Sequence, residues 1–393
     1  MEYRKLGRTD ITVSIIGIGG EGFETKNYIQ CEEIVDCAMA QGINFFDLYN
    51  SNPEVRKNVG QALARYPREK YIIEGHLGTT WDKGQYRRTR NIREIKQSYS
   101  EFLRYMQIEY VDVGMIHYID DEKDFFMVFQ GEIMEYAKEL KGKGIIRALG
   151  ISTHNPDIAL LAVQSGAIDV ILFSTNPAYD MLPECVNVNI LFEKSTFENR
   201  VYKGIDIKRQ LLYKRCESEG IALTVMKGYA AGMLLSQSRS PFGRAMTPVQ
   251  CLHYCLTRPG VASVMVGVFS SGQILDAVAY CKANETEKDY SMVLSQIPQR
   301  SFIGHCMYCG HCAPCTVQID IATINKYLDL ATDHDEVPET LINHYNLLAH
   351  KAGECIKCGQ CMRNCPFGVN VISKMKHATE IFEKQYINKI NAG

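Results

Sequence analysis

The 393-residue sequence predicts an α/β fold, a (β/α)8 barrel over residues 1–300 followed by a small, mainly helical unit over 301–393. Three observations predict it. Helix, glycine and apolar strand recur in that order along the chain, and about eight such strands suit a closed parallel barrel. Beyond the last strand, eight cysteines fall into two compact groups.

Each element follows in turn. "SIIGIG" reads as the first strand. "CEEIVDCAMAQG" then places Cys31, Ile34, Val35, Ala38 and Met39 on one helical face, stops at Gly42 and gives way to "INFFD". "YIIEG" and "EYVDVGMIH" supply two further strands. The glycine that ends a helix before a strand returns in "ELKGKGIIRALGIS", "AVQSGAIDVILF", "CESEGIALTVM" and "LTRPGVASVMV". An open dinucleotide-binding sheet is the competing fold, because Gly17, Gly19 and Gly22 satisfy G-x-G-x-x-G and Asp47 ends the next strand. The first helix begins only near Cys31, whereas that fingerprint opens its helix within the glycines. The barrel is therefore preferred.

Composition narrows the function. Lys plus Arg number 43 against 45 Asp plus Glu, so no net field marks the chain for nucleic acid or an anionic membrane. The charged start "MEYRKLGRTD" does not resemble a secretory signal, and no apolar run approaches the ~20 residues that span a bilayer. A soluble, cytoplasmic protein is expected, with Cys37, Cys216, Cys255 and the other scattered cysteines as small buried hydrophobes.

"CMYCGHCAPC" supplies Cys306, Cys309, Cys312 and Cys315; "CIKCGQCMRNCP" supplies Cys355, Cys358, Cys361 and Cys365. Spacing by three lets a loop wrap three thiolates around a cluster, and the fourth cysteine reaches the other cluster in two-cluster ferredoxins. Two 4Fe-4S clusters are expected, one on Cys306, Cys309, Cys312 and Cys365, the other on Cys355, Cys358, Cys361 and Cys315. The first motif is shorter before its last cysteine and has Thr316 where the second has Pro366. Zinc is the rival metal, but its four-thiolate sites favour two well separated C-x-x-C pairs. Between the motifs, "DIATINKYLDLA" and "VPETLINHYNLLAHKA" read as helices, the second with Pro338 in its first turn, and a last helix "VISKMKHATEIFEKQYI" is expected to pack on the barrel.

Across residues 1–285, "YRKLGRTDITVSIIGIGG", "GINFFD", "NVGQAL", "IRALGISTHNP", "TVMKGYAAGML" and "SVMVGVFSSGQILDAV" resemble the aldo-keto reductase superfamily, and with the cysteine tail the chain resembles its iron-sulfur branch. That resemblance implies a hairpin plugging the barrel base and chemistry at the C-terminal strand ends. It also implies an Asp, Tyr, Lys and His tetrad. Asp47 and His117 match two members; Asn52 stands where the Tyr is expected, with Tyr49 nearby, and His76 follows Gly75 where the Lys is expected. A tyrosine needs a cation beside it to exchange protons at neutral pH, which His76 or Lys227 can supply. The resemblance implies cofactor contacts from Ser152, Asn176, Gly267, Ser270, Ser271 and Gln273. No Arg or Lys in "VGVFSSGQILDAV" pairs with a 2′-phosphate, and the same amides suit NAD(P)H or a flavin phosphate. Arg87 and Arg88, with Arg90 beyond them, are expected to meet a carboxylate or phosphate on the substrate.

Together these readings predict an iron-sulfur oxidoreductase reducing a small organic substrate, with electrons relayed through the clusters from a ferredoxin-like donor. NAD(P)H-dependent carbonyl reduction with structural or oxygen-sensing clusters is the alternative, and a non-catalytic electron-transfer scaffold is a third.

Overall fold

A computed structural model of the chain describes residues 1–181, 204–295, 304–332 and 337–384. All eight expected strands form: β1 (Ile16–Gly19), β2 (Phe45–Leu48), β3 (Ile72–Leu77), β4 (Val111–Ile116), β5 (Ile146–Thr153), β6 (Val170–Ser174), β7 (Ala222–Met226) and β8 (Val261–Gly267). Neighbours pair in parallel in chain order, and β8 pairs with β1 through Val264 to Gly267, so the sheet closes. Closure excludes the open-sheet reading of the glycines. The first helix, Tyr28–Ala40, starts at an Asn27 capping box instead. A Cβ on Gly22 would lie 1.7 Å from the Val268 carbonyl oxygen, and one on Gly20 would lie 2.7 Å from that of Asp47. These glycines let the β1 loop press onto the ends of β8 and β2.

Side chains alternate along each strand, which decides what faces the barrel interior. Phe45, Ile72, Val113, Met115, Val170 and Leu172 point inward and pack with Leu6, Ile11 and Val13. The latter three belong to the N-terminal hairpin, Tyr3–Lys5 against Thr12–Ser14, which plugs the base as expected. Phe46, Ile73, Leu149 and Phe173 point outward into the layer beneath the helices. Asp47 consequently shares the inward face with Phe45, and Glu74 and His76 share it with Ile72.

The cysteine-rich unit is built from two similar halves. After the first cysteine of each motif come left-handed residues at matching places, Tyr308 and Gly310 in one, Lys357 and Gly359 in the other. Three residues past each final cysteine the chain is left-handed again, at Gln318 and Gly368. Asp320 and Asn370 then cap helices Ile321–Ala331 and Val371–Ala378 through the Thr323 and Ser373 amides. These helices pack on each other, joined by Lys374 and Asp329 at 2.7 Å. The last helix was expected on the barrel; its main partner is helix 321–331, because its apolar residues Val371 and Met375 face that helix's half of the unit. Helix Glu339–Asn346 lies between the halves, preceded by Pro338. The expected domain boundary at 300/301 lies outside the described residues.

The unit meets the barrel on the base side. Arg258, which leads into β8, donates to the Met307 carbonyl at 2.7 Å and lies over the Tyr308 ring. The Tyr290 hydroxyl donates to the same carbonyl at 2.6 Å, and His311 pairs with Asp289. Helix 321–331 faces Arg4, Gly7, Gly220 and Gly260, from the plugging hairpin and the starts of β7 and β8. Among the described residues, no helix is long and apolar enough to cross a membrane.

Candidate active site

At the other end of the barrel, the C-terminal ends of β2, β3 and β4 bring Asp47, His76 and His117 together. His76 Nε2 lies 2.8 Å from Asp47 Oδ1, and His76 Nδ1 lies 2.7 Å from His117 Nδ1. The chain continues to a residue that sequence reasoning missed. Tyr86 is carried on a β-hairpin, Thr79–Asp82 against Gln85–Arg88, and its hydroxyl is 2.6 Å from His117 Nε2. Asp47 and His76 are buried, while Tyr86 at 39% exposure reaches the open end. Its only sequence signal was a tyrosine inside an arginine-rich loop.

A carboxylate can only accept, so the neutral chain has one consistent order. His76 Nε2–H donates to Asp47, His117 Nδ1–H donates to His76 Nδ1, and Tyr86 O–H donates to His117 Nε2. Burial, followed by the neighbouring His76 and Arg90, holds the His117 imidazole well below the usual histidine range. Burial pushes the Tyr86 phenol up to about 12. An added proton is therefore disfavoured on His117.

Glu74 sits one inward position below His76, 0% exposed, with neither carboxyl oxygen hydrogen bonded. Burial, then the Asp47 charge, raises its carboxyl well above the ordinary range and so favours its protonated form. Ligand atoms of Asp47, Glu74 and His76 lie within 4.8 Å of one another, a triad with the donor types to hold a divalent cation.

The other predicted residues fare unequally. Tyr49 lies nearly parallel to the His117 ring with centroids 5.9 Å apart, but its hydroxyl turns to Glu24 at 3.1 Å. It forms a wall, and burial raises its phenol further than that of Tyr86. Asn52 caps helix Pro53–Leu63 through the Glu54 amide, so the expected tyrosine position is used structurally. Lys227 is held left-handed, with φ 60°, and its Nζ lies 3.3 Å from Glu21. It joins the β1 loop, not the histidine chain.

Arg87 and Arg88 do not form the expected anion clamp. Arg87 pairs with Glu94 and Asp82 at 44% side-chain exposure. Arg88 bonds the Tyr118 carbonyl and Asp124. Arg90 also grips Asp124, both contacts at 2.7 Å, and bonds the His117 carbonyl at 3.0 Å. Pairing commits these guanidiniums within the protein, although Arg90 Nη1 is buried without a hydrogen-bond partner, and Arg90 anchors the loop that presents His117.

Ser152 Oγ accepts the Tyr118 N–H at 2.8 Å, and Asn176 bonds the Lys227 carbonyl and the Tyr179 amide, both at 2.9 Å. At the β8 end, Ser270 precedes helix Ser271–Val278 without a side-chain cap. Ser271 donates to Glu33, and Gln273 accepts the Phe269 N–H. Gly267 adds no side chain, so the uncapped first amides beside it suit a dinucleotide phosphate.

Residues 15–248 match the Aldo/keto reductase family. The chain belongs to this family. Relatives within it include an NADH-specific methylglyoxal reductase of Escherichia coli (strain K12), 25% identical over 322 residues, covering 75% of this chain and 97% of that protein. The oxidoreductase YqkF of Bacillus subtilis (strain 168) is 26% identical over 321 residues, covering 78% and 99%. Among solved structures, aldo-keto reductase AKR11C1 from Bacillus halodurans, in its holo form, shares the fold. Its TM-score is 0.58 at 22% identity, over 75% of this chain and 96% of that one. As an aldo-keto reductase, the chain is an oxidoreductase whose barrel follows the family.

At the base, Cys315, Cys355, Cys358 and Cys361 line one pocket walled by Ile319 and Met375. Cys365 is among the groups that raise the thiols of Cys309 and Cys312, and Cys315 among those that raise Cys361. Each fourth cysteine thus lies near the opposite motif. The donor set, three thiols at C-x-x-C spacing on each side plus a fourth near the opposite motif, fits an iron-sulfur cluster.

Proposed function

We propose that the barrel mouth reduces a small aldehyde or ketone with NADH or NADPH, in an iron-sulfur branch of the aldo-keto reductases whose residues from 301 onward form a ferredoxin-like domain with two 4Fe-4S clusters. The observation that carries the catalytic reading is the continuous chain Asp47, His76, His117, Tyr86. A bound nicotinamide supplies hydride. The protein supplies the proton.

With His76 doubly protonated against Asp47, His76 Nδ1–H donates to His117, His117 Nε2–H donates to Tyr86, and the Tyr86 proton is free to face a carbonyl oxygen. Transfer of that proton lets Tyr86 take the Nε2 proton of His117, and His117 take the Nδ1 proton of His76. The chain ends neutral, in the order derived above, with one proton delivered. Asp47 keeps the place of the expected Asp, His76 takes the part that resemblance gave to Lys, and the raised carboxyl of Glu74 favours its protonated form beside Asp47.

Electron relay from a ferredoxin-like donor through the clusters to the mouth has the thiol cages in its favour. The cages lie on the base side, however, with the packed interior of Val113, Val170 and Leu172 between them and the histidines. The geometry favours clusters that exchange electrons with a partner at the base or staple the domain.

The name of the Escherichia coli relative makes methylglyoxal the first substrate to try. Anaerobically purified protein is expected to turn over methylglyoxal or a similar small carbonyl with NADH, and Tyr86→Phe to lower kcat by roughly 10²–10⁴-fold with little change in KM. Wild-type rates in Tyr86→Phe, or no carbonyl turnover with either nicotinamide, would contradict the proposal.

A further inference from the structure

We propose that the cavity between the barrel base and the cysteine-rich unit binds a small molecule carrying phosphate or carboxylate groups, with Lys326 as its anion anchor. This site is separate from the mouth and does not depend on the reading given to it. The cavity measures about 740 Å³, inside the roughly 300–1,000 Å³ span of small-molecule sites.

Its charge is one-sided. Arg4, Lys5, Arg8 and Lys326 line it, against Glu217 as the one acidic lining residue among the described residues. The two guanidiniums are fixed in place and paired: Arg4 Nη1 donates to the Leu256 and Val261 carbonyls at 3.0 Å and its Nε to Glu2 at 2.9 Å, and Arg8 Nη2 donates to the Ile168 carbonyl at 3.0 Å with Asp169 3.6 Å from its Nε, which leaves Lys326 as the lining cation that draws an anion. Glu217 is committed to the Gly260 amide. Lys326, on the inner side of helix 321–331, makes no hydrogen bond or ion pair among the described residues, and its enclosure lowers its ammonium pKa. A half-buried ammonium without an acceptor is poorly compensated, and an anion in the cavity would supply that acceptor. Tyr327 and Leu341 give the same cavity apolar walls, and Thr323 and Thr340 give it hydroxyls. Mixed walls of this kind suit an organic anion more than a bare ion.

Tyr308 places the cavity against the first cysteine loop, between Cys306 and Cys309. A molecule held there touches the barrel plug and Tyr308 of the first cysteine loop at once.

Calorimetric titration of the full chain, kept anaerobic, tests this with pyrophosphate and citrate as probes. Saturable binding of one equivalent of either is expected, weakened about tenfold or more in Lys326→Met and retained within about threefold in Lys326→Arg. Pyrophosphate alone binding would mark phosphate as the chemistry, and citrate alone, carboxylate. Absence of saturable binding to the wild type, or equal affinity in a folded Lys326→Met, would overturn the proposal.

Discussion

The mouth and the base of this barrel handle charge in opposite ways. At the mouth, ionisable groups are joined head to tail, and in the proposed mechanism a proton entering at one end leaves at the other while Asp47 balances the charge in transit. At the base, Arg258 and Lys326 are held apart, one satisfied by the Met307 carbonyl and one facing a cavity. The first arrangement moves charge and the second positions it. Catalysis and cysteine-cage integrity should therefore fail independently.

The largest expected effect breaks the mouth alone. Tyr86→Phe should lower kcat by roughly 10²–10⁴-fold while leaving iron content and melting temperature unchanged. Asp47→Asn should follow at about 10²-fold, because His76 then loses the carboxylate that stabilises its second proton. The pH profile sharpens the same point. Since the His117 pKa is lowered, its ring stays neutral as pH falls through the usual histidine range. The acid limb of kcat/KM that reports His117 should accordingly lie below the ordinary histidine range.

At the base, Arg258→Met leaves the Met307 carbonyl with one donor fewer in a fully buried place. Urea unfolding should register a loss of about 3 kcal/mol, and iron release should quicken, with hydride transfer in the surviving folded protein unaltered. Glu74→Gln is a smaller test with a definite sign. In the unfolded chain Glu74 ionises in the ordinary carboxylate range, whereas in the fold it keeps its proton to higher pH. Its protonation supports the fold at low pH, and that support is lost as pH climbs toward the raised value. The glutamine variant should melt about 2–4 °C higher at pH 8 and gain less at pH 5. A lower melting temperature accompanied by lost divalent metal would instead assign Glu74 to a cation. Smallest of all, Arg87→Ala should change stability by no more than about 0.5 kcal/mol and leave KM unaltered, since its partners are exposed.

Much of this was legible in the sequence, and the physical reason differs by region. The eight strands could be read because each is short, apolar and preceded by a helix-ending glycine, and Asp47, His76 and His117 because strand ends fix where side chains go. Tyr86 was not legible. It lies in a hairpin whose partners are set by three-dimensional closure over β4, and the adjoining arginines drew attention to themselves as ligands. Their true partners, Glu94 and Asp124, stand on following helices, where an ion pair leaves no periodic trace. The two-half plan of the cysteine unit was written in parallel stretches, "CTVQIDIATI" and "CPFGVNVISK", with Asp320 and Asn370 as matching caps. Its docking on the base was not legible, because that depends on the buried Arg258 and Tyr290 meeting the Met307 carbonyl, a contact made through three-dimensional packing and not through any motif.

The most direct test uses NADH carrying deuterium at the transferable position, given to wild type and to a variant with Cys309→Ser and Cys358→Ser in the two cages. The account predicts deuterium on the carbonyl carbon of the product alcohol in both, at rates within about threefold, because hydride and proton meet at the mouth whatever the cages hold. Deuterium-free product from the wild type, formed only while the cages contain iron and a one-electron donor is present, would contradict it.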